Sequence, residues 1–283
     1  MNNLQRIKRY YLEYGLTKTA KAVALTVLPF IGFRTSLSGF RSNVGLEIKT
    51  KTKGKVYSGE YQGMELSEKK SWDQYDLASL LLGSYELHIQ KVLVKLCGGN
   101  KVFIDIGAGD GFHAIGLARS GAVTKSICFE TSRNGQKIIA ENAVRNNVAP
   151  MVEIHGIATE NNVIEVVQAL SKNDTAVMLI DIEGGEYELV NNKLLCAMRN
   201  HHLVIELHEF YSDQRRKSKL LIENLGKHFE IEILESEALN PNNYSILDDM
   251  DDNKKWIAFS ESRPSKMRWI VASPKIIENS KYP

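Results

Sequence analysis

From Lys101 onward the chain alternates short, nearly unbroken apolar runs with amphipathic stretches. KVFIDIG (101–107) opens the series, and SICFE (126–130), VEIHGIA (152–158), AVMLIDIE (176–183) and HLVIELHEF (202–210) continue it. Between them lie helical patterns over Phe112–Ser120, from a cap at Ser132 through Asn146, over Val163–Leu170, Tyr187–Arg199 and Arg216–Lys227. Strands read as continuous apolar runs when helices cover both faces of their sheet. Five strand-then-helix units in series predict a doubly wound α/β sheet. FEIEILES (229–236) and MRWIVASP (267–274) are strand-like with no long helical pattern between them, which predicts an antiparallel addition at one edge. The polar stretch 237–266, with DDMDD at 248–252, reads as a solvated loop.

Upstream of Lys101 the pattern is different. Residues 1–40 read as helical and basic. VGLEIKTKTKGKVY (44–57) alternates like strand around Lys53-Gly54, which predicts a small hairpin. A helix is expected over 74–97, where Ile89, Val92, Leu93 and Leu96 form one apolar stripe. Gly98-Gly99 ends it in the left-handed conformation.

Composition and charge narrow the class. At 283 residues, 43% hydrophobic and 25% charged, the chain has ordinary globular makeup. Residues 1–55 carry eleven Lys/Arg against Glu13 and Glu47, a net of +9; with +2 overall, the remainder carries −7. An acidic body argues against nucleic acid as partner, since phosphate binding needs clustered Lys/Arg. The basic arm fits a membrane surface or an anionic partner. Cys97, Cys128 and Cys196 form no CxxC pair and read as reduced thiols, so the expected location is the cytoplasm. The apolar run Ala22–Phe33 spans 12 residues and is interrupted by Pro29; about 20 are needed to cross a bilayer. Residues 1–40 therefore read either as a helix packed on the body or as a peripheral membrane contact.

Candidate chemistry begins at Gly107-Ala108-Gly109-Asp110-Gly111, just after the first strand. In open α/β sheets ligands sit beyond the carboxyl ends of strands, where a following helix offers its N-terminal N–H groups. The spacing is not G-x-G-x-x-G, because Phe112 stands where the last glycine belongs; a dinucleotide oxidoreductase is disfavoured. The second strand ends in Glu130, 21 residues after Gly109, where a carboxylate can take both hydroxyls of a ribose. A ribose with a cationic reacting end fits S-adenosylmethionine. Asp105 and Asp181 give the pocket a matching sign, and Ala158 closes the third strand at the same crevice.

FIDIGAGDG with CFE downstream resembles the first motif and second-strand acid of class I methyltransferases. LIDIEGGEYELV (179–190), HLVIELHEF (202–210) and ENAVRNN (141–147) resemble segments of the FkbM-type members, and LLGSYE (81–86) a segment upstream of the first motif. The resemblance covers roughly residues 80–275. It implies a Rossmann-like, seven-stranded, mostly parallel sheet with an antiparallel last strand. It places a methyltransferase domain over 76–283 behind an N-terminal segment over 1–75. It also implies O-methylation of a hydroxyl on a sugar, glycan or other small molecule. Asp181, Glu183, Glu206 and His208 stand at the carboxyl ends of the fourth and fifth strands. Glu206 and His208, two apart, share a face. His208 is the favoured general base. Glu183 and Glu186 also read as caps of the next helix, His113 as structural, and His201-His202 as a solvated pair. Asp181, Glu206 and His208 can equally be read as a Mg²⁺ or Mn²⁺ site, but nothing in the sequence requires it and no metal is assigned. A non-catalytic binding or assembly protein that keeps the pocket is the alternative.

Overall fold

The computed structural model describes residues 37–67, 76–98, 101–171, 174–261, 263 and 265–275. The expectations for residues 1–36 lie outside that set.

Seven strands form one sheet: β1 (Lys101–Ile106), β2 (Val123–Phe129), β3 (Val152–His155), β4 (Ala176–Ile180), β5 (His202–Leu207), β6 (Phe229–Glu235) and β7 (Arg268–Pro274). Their order is β3-β2-β1-β4-β5-β7-β6. All pairs are parallel except those of β7, which runs antiparallel to both β5 and β6. The doubly wound sheet and its late antiparallel strand are thus found, in the Rossmann-like arrangement that the resemblance implied. Strand order reverses between β1 and β4, so their carboxyl ends splay around a crevice.

Helices fill both faces. In order they are α1 (37–52), α2 (Leu77–Leu82), α3 (Leu87–Cys97), α4 (Phe112–Arg119), α5 (Arg133–Arg145), α6 (Glu160–Gln168), α7 (Glu186–Leu189), α8 (Asn192–Ala197), α9 (Ser212–Gly226) and α10 (Asp252–Ala258). On β1 the strand period of two sends Val102, Ile104 and Ile106 into one core with Val163, Leu194 and Leu225, and Phe103 into the other with Leu93, Ile115 and Ile139. Ser132 caps α5 as expected, accepting from the Gly135 N–H, and Gly98 ends α3 with φ +58°.

The N-terminal hairpin is not found. Residues 44–52 belong to α1, which turns off at Lys53 and Gly54, both with positive φ. The alternation of Leu46 and Ile48 imitated a strand. The stronger pattern is Phe40, Val44 and Ile48 at every fourth position, one helical face packed with Leu81, Leu247 and Ala258. Leu46 faces water at 56% exposure. Lys51 pairs with Asp249 and Lys254 with Glu47, tying α1 to the 245–258 region. That region is more than a solvated loop: it buries Leu247, Met250 and Ala258, and Asp251 caps α10. Val56, Tyr61 and Met64 enter the core beside α4.

Two expected helices are each divided. The segment 74–97 breaks at Gly83, with φ +76°, where a Cβ would fall 1.9 Å from the Ser58 carbonyl oxygen. The stretch 187–199 breaks at Val190-Asn191, where the Asn191 side chain caps α8. Among the described residues no helix is long and apolar enough to cross a membrane.

Candidate functional site

The site is built where β1 and β4 end. Gly107 has φ +90°, and a Cβ on it would lie 1.9 Å from the Asp181 carbonyl oxygen. Close approach of the two strand ends therefore demands glycine there. The turn is stitched to its surroundings: the Gly107 and Ala108 N–H groups both donate to the Phe129 carbonyl. Gly109 N–H donates to Glu130 Oε2 at 2.8 Å, and Ser132 N–H to Glu130 Oε1 at 2.6 Å. The Thr131 hydroxyl approaches Oε1 as well, at 3.5 Å, so Glu130 is locked in orientation while Oε2 keeps a second lone pair. Gly135 is part of this packing and was not singled out in the sequence; a Cβ there would press on Glu130 Cγ at 2.8 Å.

Two cavities flank the turn. One is lined by Glu86, Asp105, Ala108, Gly109, Phe112 and His113. The other is lined by Phe129, Glu130, Ile157, Ala158 and Ile182. Gly107, Asp181 and Glu183 border both, so the two cavities meet at these three residues. Gly111 is not in the cavity lining and packs toward Ile139 and Ile115.

Asp181, Glu183, Glu206 and His208 are brought together as the sequence placed them. His208, 2% exposed, directs Nε2 toward Asp181 Oδ1 at 3.5 Å, Glu183 Oε2 at 3.5 Å and Glu206 Oε2 at 3.7 Å. Its Nδ1 lies 3.2 Å from Oε1 of fully buried Glu186, which also accepts the His208 and Gly184 backbone N–H groups. Glu186 thus holds the histidine as well as the turn before α7. Glu183 stands at the rim, its side chain 62% exposed and its backbone left-handed at φ +51°. Such a conformation in a non-glycine residue stores strain.

A second network was missed in the sequence. Arg263 reaches Glu86, Glu206 and Glu261 together. Glu86 also meets His113 Nε2 at 2.9 Å, and His113 Nδ1 lies 3.1 Å from the Tyr61 hydroxyl. His113 is thus held within the protein on both ring nitrogens. Arg263 sits in a segment that read as polar loop, and Glu86 follows a glycine break, so neither position carried a periodic signal.

Charge crowding sets the ionisation of the cleft. Burial and the nearby Glu86 and Glu130 charges raise Asp105 to about 7, against the pull of His113. Shielding by the cleft walls, with the Glu86 charge, raises Asp181 to about 7. Burial together with Asp181 and Glu86 pushes Glu206 upward as well. Glu86 goes the other way: burial opposes ionisation, but Arg263 and His113 outweigh it and hold the carboxyl at about 2. Burial also opposes a charged His208, yet the Glu186 hydrogen bond and the surrounding carboxylates raise its pKa. His201 and His202 are not a solvated pair. His201 Nδ1 accepts the Ala176 N–H, and burial with the Lys101 charge lowers His202 to about 4.

No protein-family model matches the chain, and no curated protein matches it. Solved structures show remote likeness. An rRNA methylase from Streptococcus thermophilus is 12% identical, with 67% of this chain and 96% of that chain covered and a TM-score of 0.45. A precorrin-6y C5,15-methyltransferase from Geobacter metallireducens GS-15 is 16% identical, with 67% and 89% covered and a TM-score of 0.44. A precorrin 8w decarboxylase from Methanobacterium thermoautotrophicum is 14% identical, with 66% and 89% covered and a TM-score of 0.42. Likenesses this remote decide nothing about chemistry. The Rossmann-like fold stands on the strand order and register, and the site on its own geometry.

Proposed function

We propose that the chain is an S-adenosylmethionine-dependent methyltransferase that methylates a hydroxyl of a sugar, glycan or other small molecule. The observation that carries this reading is the meeting of two cavities at Gly107, Asp181 and Glu183, with a cluster of carboxylates and a buried histidine at the junction.

The residues fit the cofactor. Glu130 borders one cavity in a fixed orientation, with a lone pair left on Oε2 and a weak, exchangeable Thr131 contact on Oε1 for ribose hydroxyls. Phe129, Ile157 and Ala158 give the same cavity an apolar wall for a purine. The other cavity is acidic through Asp105, Asp110 and Asp181, which suits a sulfonium and an ammonium group. The glycine turn serves by leaving room rather than by donating, because the N–H groups of Gly107, Ala108 and Gly109 are already used within the protein. An anionic end would instead meet the Phe112 and His113 N–H groups at the start of α4, the Ala114 N–H being held by Asp105.

When bound, S-adenosylmethionine supplies a methyl group activated on sulfonium. The protein's part is to hold the acceptor oxygen in line at the cavity junction; positioning of this kind supplies about 7–11 kcal/mol. As the new C–O bond forms, the hydroxyl proton passes to a carboxylate at the junction, Asp181 or Glu183. His208 directs Nε2 at these carboxylates from 3.5 Å and holds them in place, with Glu206 beside it. An Asp181 raised to about 7 accepts a proton well near neutral pH.

The test is incubation with methyl-labelled S-adenosylmethionine and a panel of hydroxylated acceptors, beginning with sugars and glycans. Label should enter an acceptor as an alkali-stable ether. The rate should collapse in Asp181→Asn, which removes a carboxylate from the cavity junction. Transfer to nitrogen or carbon alone, or full activity in Asp181→Asn, would contradict the assignment.

A further inference from the structure

We infer that Asp181, Glu206 and His208 form a site for one small divalent cation of the Mg²⁺ or Mn²⁺ kind, open on its cleft side to two oxygens of the acceptor. The acceptor half of this inference rests on the methyltransferase reading above; the cation site does not.

One ligand atom from each of the three residues can be chosen so that all lie within 4.8 Å of one another. Around an ion with bonds of about 2.1 Å, neighbouring ligand atoms stand roughly 3.0 Å apart and opposite ones roughly 4.2 Å apart. The distances of His208 Nε2 to Asp181 and Glu206, 3.5 and 3.7 Å, fall in that interval. They are too long for good hydrogen bonds.

The histidine is the second observation. It is 2% exposed, and Nε2 makes no hydrogen bond although it points into a group of carboxylate oxygens. A carboxylate only accepts, so Nδ1–H donates to Glu186 and Nε2 turns toward the carboxylate oxygens. Something positive must then lie between Nε2 and those oxygens, either a second ring proton or a cation. A buried carboxylate behind a histidine, turning its other nitrogen toward oxygen ligands, is how metal-binding histidines are oriented.

Charge points the same way. Arg263 is shared among Glu86, Glu206 and Glu261. Among the described residues, no Lys or Arg pairs with Asp181 or Glu183, whose side chains are 32% and 62% exposed toward the cleft. Two carboxylates and one imidazole make a mixed oxygen–nitrogen set suited to Mn²⁺, with Mg²⁺ as the harder alternative. Three protein ligands leave positions for water or for two neighbouring acceptor hydroxyls. With the ion on Asp181, Glu183 at the rim remains free to take the acceptor's proton.

The test is direct titration of the purified full-length chain with Mn²⁺, following loss of the free-ion electron paramagnetic resonance signal. Wild type should bind one Mn²⁺ per chain, and Mg²⁺ should compete. Asp181→Asn and His208→Gln should each weaken binding at least about ten-fold, and Glu186→Gln, which holds the ligand His208 without offering a ligand atom itself, by about 10–100-fold. Unchanged circular dichroism will show that each variant is folded. Absence of saturable Mn²⁺ binding by folded wild type, or equal affinity in Asp181→Asn and His208→Gln, overturns the inference. S-adenosylhomocysteine binding measured in chelator keeps the two claims apart. If it persists while Mn²⁺ fails to bind, the cation site alone is lost. If Mn²⁺ binds and S-adenosylhomocysteine does not, the cation site stands and the methyltransferase reading fails.

Discussion

Among the described residues Arg263 is the cation that Glu86, Glu206 and Glu261 share, and its removal gives a graded test of how these buried carboxylates are held together. Its guanidinium joins Glu86 and Glu206, both only 2% exposed, and Glu261. In Arg263→Ala these carboxylates lose their shared partner while staying buried. Breaking a buried pair by deleting one member costs about 3–5 kcal/mol. For a chain of this size that corresponds to a fall in Tm of roughly 10 °C. The pH dependence identifies the cause. In the native protein Glu86 is held at about 2, below its ordinary 4.5, so it stabilises the fold above pH 4.5 and this is lost as pH falls toward 2. Without Arg263, Glu206, which burial already raises with the arginine in place, rises further, and Glu86 keeps only His113 against burial. The resulting penalty is full above the raised Glu206 pKa and fades as pH falls toward 4.5. Urea denaturation of both proteins between about pH 8 and pH 5 should therefore show a deficit that shrinks with acidification. A deficit under about 1 kcal/mol at the alkaline end, or one that stays constant down to pH 5, would refute the reasoning.

Other substitutions probe other parts of the account. Gly107→Ala places a Cβ against the Asp181 carbonyl in a left-handed residue and should cost about 2 kcal/mol or more by urea denaturation. Ile48→Ala should cost about 2–5 kcal/mol while Leu46→Ala costs under about 0.5, because a helix sends the two side chains to different faces; similar losses would favour the hairpin. Glu130→Ala should weaken S-adenosylhomocysteine binding about ten-fold or more in a chain that remains folded. Unchanged affinity would remove the ribose assignment.

The parallel sheet was legible because its strands are buried on both faces and so appear as apolar runs, with little else in the chain to imitate them. The site was legible for a related reason: in this architecture chemistry collects at strand ends, so Asp181, Glu206 and His208 could be brought together from their positions alone. What escaped depended on tertiary contacts without periodicity. Leu46 and Ile48 obeyed a strand rule over a few residues, and only packing of Ile48 against Leu81 and Leu247 showed the helical stripe to be the real one. Arg263 and Glu86 meet across 177 positions of sequence, through a loop and a helix start that have no pattern of their own. The glycine turn was found, but Gly107 is bare chiefly because the end of β4 passes against it, a fact that no spacing conveys.

The most direct measurement is calorimetric titration of the purified protein with S-adenosylhomocysteine, with NAD⁺ run in parallel. Saturable binding of S-adenosylhomocysteine alone, weakened in Glu130→Ala, is the predicted result. Binding of NAD⁺ instead, or of neither ligand by a well-folded chain, would contradict the account at its centre.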